Sequence, residues 1–343
     1  MTTSRDLDLP GDPARLTLGH FLADIASAHK DGVAVTSQGR ETSYLELEAQ
    51  ARHLARALIG AGVVKGARVA VQMANRLEWI VSAFATALVG GVLVPLNTFA
   101  RGEERDYILR HSDASLLLLQ PELLGRDLRR ELLESHPDLA AGTPGRLRCA
   151  ALPQLRRVAC LAIDEPSGGI ETWKALLDQG SDVADALLDS ATDEVHPSDD
   201  GFIIYTSGTS SRPKGVLHLQ RAPVIQSYRL ADYMRLGPGD RVFTAQPFFW
   251  TAGIVWSLGA TLAAGGRMLL QETFQPEEAL DLIEQQRATV IHAWPHQEKL
   301  LAEHETIGER DLSSVEKIEF TSQLASSVGL EADLWGAYSS YGT

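Results

Sequence analysis

Phe202-Ile203-Ile204-Tyr205-Thr206-Ser207-Gly208-Thr209-Ser210-Ser211-Arg212-Pro213-Lys214-Gly215 joins an apolar run to a polar loop. Phe202 to Tyr205 is predicted to be a buried strand. From Thr206 to Gly215 come five aliphatic hydroxyls, two glycines, one arginine and one lysine. Small residues let backbone N–H groups approach an anion, and hydroxyls add further donors. Lys214 adds a compact positive charge. These are the parts needed to grip a polyphosphate. No acidic residue lies between Asp200 and Asp232, whereas Arg212, Lys214, Arg221 and Arg229 do. A locally basic loop in a chain of formal net charge −14 is expected to focus a small anion. A solvated turn is the competing reading, and the loop's length, charge and preceding strand count against it. The loop is not a Walker motif, because the residues after Gly208 do not end in Gly-Lys-Ser/Thr.

Outward from this loop, strand and helix patterns alternate. Helices are expected at 16–29, 44–62, 79–88, 103–111, 254–264, 276–286 and 295–304. Strands are expected at 33–37, 41–44, 68–73, 92–95, 115–120, 158–163, 202–205, 242–246, 267–271, 289–292 and 317–321. The first two strands flank Gly39 and read as a hairpin. Residues 122–153, rich in Arg, Leu, Gly and Pro, support no assignment. Residues 166–169 and 190–200 read as surface connections. The fold expected is α/β, with parallel-sheet lobes covered by helices. The lobe boundary is placed at residue 200, giving 1–200 and 201–343.

Composition narrows the function. The 343 residues are enough for a large core. The acidic balance disfavours nucleic acid and anionic lipid as partners. Cys149 and Cys160 stand in no paired motif, which favours a reducing cytoplasm. The long uncharged runs 79–100 and 242–266 are interrupted by Gly and Pro, so each reads as a buried helix with a buried strand and not as a membrane span. His292 and His296 have helical metal spacing, but Pro295 between them favours two packing histidines.

Tyr205-Thr206-Ser207-Gly208-Thr209 followed by Pro213-Lys214-Gly215 is very similar to the signature loop of the adenylate-forming, or AMP-binding, superfamily. That group includes acyl-CoA synthetases, luciferases and the adenylation domains of peptide synthetases. The family usually has glycine where this chain has Ser211. Thr42-Ser43-Tyr44-Leu45-Glu46-Leu47 resembles its early Thr-Tyr-x-Glu-Leu segment. Leu88-Val89-Gly90-Gly91-Val92-Leu93-Val94-Pro95-Leu96-Asn97 resembles its Gly-x-x-x-x-Pro-Leu-Asn segment. Pro247-Phe248-Phe249-Trp250-Thr251-Ala252-Gly253 resembles its Pro-x-Phe-His-x-x-Gly segment, with Trp250 at the usual histidine.

The resemblance implies the large N-terminal domain of such an enzyme, without its small C-terminal domain. It implies ATP-dependent activation of a small-molecule carboxylic acid as acyl-AMP, with coenzyme A as acceptor. Thr206, Ser207, Gly208, Thr209, Ser210, Ser211, Pro213, Lys214 and Gly215 would then hold the nucleotide's phosphates. Lys214 would supply charge, and Thr209 would help orient Mg2+. Phe249, Trp250 and Gly253 would border the acyl group, as would Ser322 and Gln323. The terminal Tyr341-Gly342-Thr343 resembles the start of the family's Tyr-Gly-x-Thr-Glu motif. The expectation is therefore a piece of a longer chain, with weak or no adenylation activity by itself. The alternatives are a non-catalytic nucleotide- or acyl-binding module and an amino-acid adenylation domain. The absence of any acid between Asp240 and Glu272 disfavours the last, since a buried substrate ammonium would lack a partner there.

Overall fold

The computed structural model describes residues 11–206, 212–318 and 322–327. In chain order the strands are β1 (Val33–Ser37), β2 (Arg40–Ser43), β3 (Arg68–Gln72), β4 (Val92–Pro95), β5 (Leu116–Leu119), β6 (Glu122–Leu123) and β7 (Arg126–Asp127). They continue as β8 (Arg157–Cys160), β9 (Ile170–Thr172), β10 (Asp200–Thr206), β11 (Lys214–Leu219), β12 (Arg241–Thr244), β13 (Arg267–Leu270) and β14 (Val290–His292). Among the described residues they form a five-stranded sheet, β14-β12-β13-β1-β2, and a seven-stranded sheet, β11-β10-β4-β3-β5-β8-β9. Only β2 and β11 run antiparallel to their neighbours in these sheets. β6 and β7 pair separately.

Burial explains the parallel pairing. Every position of β4 and β5 is buried, as expected of strands covered on both faces. Alternate residues of β3 point into different cores. Val69 and Val71 share a cluster with Phe21, Leu54 and Ile80, whereas Ala70 packs with Ile108 and Leu128. The first cluster also takes Val35, Val242 and Met268 from the other sheet. The helices Leu18–His29, Tyr44–Gly60 and Leu77–Leu88 therefore lie between the two sheets. The outer face of the five-stranded sheet is covered by Pro276–Gln285 and Pro295–Ala302, through Leu280, Ile283 and Leu301. The layers run helix, sheet, helix, sheet, helix.

Two family-like segments have local structural reasons. Ser43 caps the Tyr44–Gly60 helix by accepting from Glu46 N at 3.2 Å, while Glu46 accepts from Ser43 N at 2.8 Å. The bonds to Ser43 hold the Glu46 carboxyl below its ordinary range. Gly90 (φ +65°) ends the Leu77–Leu88 helix, and Gly91 N returns to Thr86 O at 2.8 Å before β4 begins.

Several expectations need correction. The sheets do not divide at residue 200: β1 pairs with β13, and β10 pairs with β4 across that point. Strand order is set by long-range pairing, which linear alternation does not encode. The helix Asp185–Asp193 occupies part of the expected connection 190–200. Residues 122–153, left without elements, hold the β6–β7 hairpin and the helix Leu128–Ser135. At the expected strand 317–321, Lys317 makes an isolated bridge to Val290, and residues 319–321 lie outside those described.

Tyr44 ties the middle layer to the five-stranded sheet. Its hydroxyl, fully buried, donates to Gly266 O at 2.6 Å, just before β13. Tyr44→Phe removes that donor and is expected to cost about 1–3 kcal/mol. Urea unfolding should show a lower midpoint with an unchanged slope. An unchanged midpoint would mean that the carbonyl finds another donor.

Candidate nucleotide and acyl site

The loops that leave the carboxyl ends of the parallel strands meet one another. Asn75, after β3, donates from Nδ2 to Gln246 O and accepts at Oδ1 from Phe248 N, both at 2.9 Å, beyond β12. Phe99, after β4, meets the Phe249 ring edge-on at 5.9 Å. Gln120, after β5, donates to Glu272, after β13, at 2.9 Å. Trp250 meets Trp294, after β14, edge-on at 6.4 Å. In open α/β sheets this rim is where ligands bind.

β10 delivers the phosphate-loop candidate to the same rim. It forms an antiparallel hairpin with β11, pairing Thr206 with Lys214 and Tyr205 with Gly215. Lys214 and Gly215 thus belong to a strand and not to the loop in which they were expected. A Cβ on Gly215 would lie 2.9 Å from Ile203 Cγ2 and 3.2 Å from Tyr205 Cζ, so a side chain there would crowd Ile203 and press on the tyrosine ring. Lys214 is exposed, and no ion pair engages it among the described residues. Pro213 is half-buried and Thr206 exposed. Ser207, Gly208, Thr209, Ser210 and Ser211 lie outside the described residues, as do Tyr341, Gly342 and Thr343.

Both flanks of this loop rest on the helix Gly102–His111. The Tyr205 hydroxyl lies 2.7 Å from His111 Nδ1, and the two rings meet edge-on at 5.7 Å. His111 stacks on Tyr107 at 5.3 Å. The Arg212 guanidinium sits 5.5 Å from the centre of the Tyr107 ring. Burial pushes the Tyr205 phenol up to about 12, so it stays protonated and able to donate. The four-residue spacing of Tyr107 and His111 places them on one helical face. Their contact with residues about a hundred positions later had no sequence signal.

The aromatic run divides into core and surface. Phe248 is buried against Trp79, with ring centres 5.2 Å apart. Phe249 is also buried, between Phe99 and Trp250. Trp250 and Phe99 are the exposed members, at 38% and 57%. A Cβ on Gly253 would lie 2.1 Å from Pro247 O, so glycine is required for the tight turn around these rings. The following helix, Ala252–Gly259, is π-type, a form found often at functional sites. A cleft of about 540 Å³ beside Phe99 is lined by Arg101, Gly102, Leu124, Arg126 and Glu131.

Ser322 and Gln323 have a packing explanation. Ser322 is buried and accepts from Ala325 N at 3.3 Å at the start of the helix Gln323–Ser327, while Gln323 is exposed. His292 and His296 do not form a metal pair, since His292 is buried beside Ser257 and His296 is exposed. Among the described residues no group of three or more His, Cys, Asp or Glu could hold a metal. No described helix is long and apolar enough to cross a membrane.

His292 belongs to a buried polar chain beneath the aromatic run. Thr244 Oγ1 donates to Ser257 Oγ at 3.1 Å, and Ser257 donates to Gln246 Oε1 at 2.8 Å. Ser257 has then used its one proton, so His292 Nδ1, 3.1 Å away, is assigned as a donor to it. Burial lowers the imidazole from 6.5 to about 3. The unfolded chain therefore binds a proton below pH 6.5 that the folded chain refuses. Stability from the neutral ring is fully present above pH 6.5 and is lost as pH falls toward 3. Between pH 6 and pH 5 the protein is expected to lose about 1 kcal/mol more than His292→Asn does. Parallel loss in both, read by urea unfolding at each pH, would assign the effect elsewhere. Asn75→Ala should cost about 1–3 kcal/mol and shift tryptophan emission to the red, because Phe248 N loses its acceptor beside Trp79.

The AMP-binding enzyme family model matches residues 22–340. A methyl-dioxo-octahydroindenyl-propanoyl:CoA ligase of Mycobacterium tuberculosis is 32% identical over 285 residues, covering 83% of this chain and 52% of that one. Indoleacetate–CoA ligase of Aromatoleum aromaticum is 28% identical over 303 residues, covering 88% and 54%. The solved structure of the anthranilate CoA ligase AuaEII with anthranoyl-AMP superposes with a TM-score of 0.75 at 21% identity, covering 88% and 54%, and so shares the fold. The chain spans about half the length of the curated relatives it matches. With the signature loop on β10–β11 and the family match across nearly its whole length, the chain belongs to the AMP-binding enzymes.

Proposed function

We propose that this chain supplies the ATP- and acid-binding part of an acid–thiol ligase that works through an acyl-AMP intermediate. The observation that carries this is the β10–β11 hairpin, which pairs Thr206 with exposed Lys214 at the carboxyl-end rim, the two ends of the signature segment. A carboxylate is a poor acyl donor because its oxygen leaves reluctantly. Its oxygen would attack the α-phosphorus of ATP while the α–β bridging P–O bond breaks and pyrophosphate departs. The sulfur of coenzyme A would then attack the acyl carbon, and AMP would leave. The protein's part is to position the reactants and neutralise charge that builds on the phosphates. Lys214 supplies that charge, and Thr206 to Gly215 supply donors. Mg2+ would enter with ATP, with Thr209 as an indirect contact.

The acid is proposed to be a plain carboxylic acid with an apolar or ring-bearing body. Trp250, Phe99 and Trp294 offer aromatic surface at the rim, packed on buried Phe249. The loop and helix from 241 to 271 carry no carboxylate for a substrate ammonium. The relatives named for indoleacetate and for an octahydroindenyl-propanoyl acid point to the same class. The cleft bordered by Phe99 and Arg101 adjoins this surface; its other arginine, Arg126, is paired with Glu131 in the same lining.

Carboxylate-dependent ATP–pyrophosphate exchange tests the reading, with aromatic, fatty and short acids set beside alanine and phenylalanine. Exchange with aromatic or fatty acids is expected, and exchange with the amino acids alone would overturn the substrate class. Calorimetric MgATP binding should weaken about ten- to a hundredfold in Lys214→Ala, as for loss of a charged hydrogen bond to phosphate. Unchanged affinity would remove Lys214 from the site. Absence of both exchange and MgATP binding would overturn the ligase reading.

A further inference from the structure

We infer that Tyr107 and His111 latch the two flanks of the phosphate loop to the helix Gly102–His111, with Tyr107 a positioning residue that acts through Arg212. The inference rests on reading 206–215 as the phosphate loop, and it adds residues outside the signature motif to that site.

The geometry is two-sided. Tyr205, the next-to-last residue of β10, is bonded to His111. Arg212, two residues before β11, lies over Tyr107. The stacked pair Tyr107–His111 joins the two contacts, so a single rigid face sets the separation of the loop's ends. A guanidinium within about 6 Å of a ring centre is attracted to the π face. Two acids of this segment are engaged elsewhere. Asp106 binds Arg105 at 3.0 Å and His136 at 2.9 Å, and Asp113 binds Arg68 at 3.2 Å. The ring is a partner the structure gives Arg212, and an aromatic face attracts the guanidinium without cancelling its charge. Fixing the two ends before a ligand arrives lowers the ordering cost of binding.

The test uses the full chain and two readouts. Amide hydrogen exchange is followed in the peptide covering 204–216, without ligand and with MgATP, and MgATP affinity is measured by calorimetry. Tyr107→Leu is expected to speed exchange in that peptide alone and to weaken MgATP about two- to fivefold. Tyr107→Phe keeps the ring face and should match the wild type. Arg212→Gln, an exposed change that leaves the core intact, should speed the same peptide, and adding Tyr107→Leu to it should add little further. Wild-type exchange in Tyr107→Leu, or additive effects in the double variant, would overturn the latch. If Tyr107→Leu exchanges faster throughout the chain, Arg212→Gln decides. If the wild type fails to bind MgATP, the phosphate reading falls while the ligand-free exchange comparison still decides the latch.

Discussion

The structure depends on one constraint, the burial of three helices between two sheets. Leu18–His29, Tyr44–Gly60 and Leu77–Leu88 face apolar surface on both sides, with Trp79, Tyr44, Phe21 and Leu54 almost wholly removed from water. Fully burying one large apolar side chain contributes roughly 1.5–3 kcal/mol, so this layer dominates the favourable side of folding. It also fixes topology. The shared helices need β3 and β4 on one side and β1, β12 and β13 on the other, which forces the chain to cross between sheets more than once.

That crossing builds the site. A layer common to both sheets points their carboxyl ends at one another, and the connecting loops must then meet across a rim. Asn75 shows how closely they are fitted, because one amide side chain satisfies a donor and an acceptor of the opposite sheet's loop. Gly253 shows it again, since the turn that holds Phe248 and Phe249 leaves no space for a Cβ. Tight backbone geometry here keeps Trp250 and Phe99 at the surface while their neighbours pack inward. The buried chain Thr244–Ser257–His292 supports the same turn from below. Its polar groups are tolerable in a dry layer because they bond to one another.

What was legible in the sequence follows from what is local. The leucines of β5 and the valines of β3 announce buried parallel strands because apolar runs between breakers have few other uses. The helix expected at 44–62 was legible from its apolar spacing, and the structure adds that Ser43 and Glu46 cap its start. The signature loop was legible because phosphate binding demands small, hydroxylated and basic residues in a short span. β11 was not. Its residues are mostly exposed, so no apolar periodicity marks it, and only pairing with β10 makes it a strand. β9 and its following helix Trp173–Asp178 were missed because three strand residues and six helical ones give too short a pattern to detect. The partition of the aromatic run was open as well. Phe248, Phe249 and Trp250 are chemically alike, and it is Trp79 and Phe99, distant in the chain, that decide which faces water.

The choice of an aromatic partner for Arg212 bears on how a basic loop can be stable before its anion arrives. Arg212 and Lys214 stand two residues apart in a stretch with no acid from 201 to 231, so the sequence supplies no nearby charge to offset them. A carboxylate would supply that offset, but it would also cancel the charge the loop exists to present, and a phosphate would have to displace it. A ring face resolves the conflict. Its quadrupole attracts the guanidinium without supplying a competing acceptor. The Tyr107 ring is itself stacked on His111, which is bonded in turn to Tyr205. The aromatic stack thereby turns the rigidity of a buried sheet into the placement of an exposed charge.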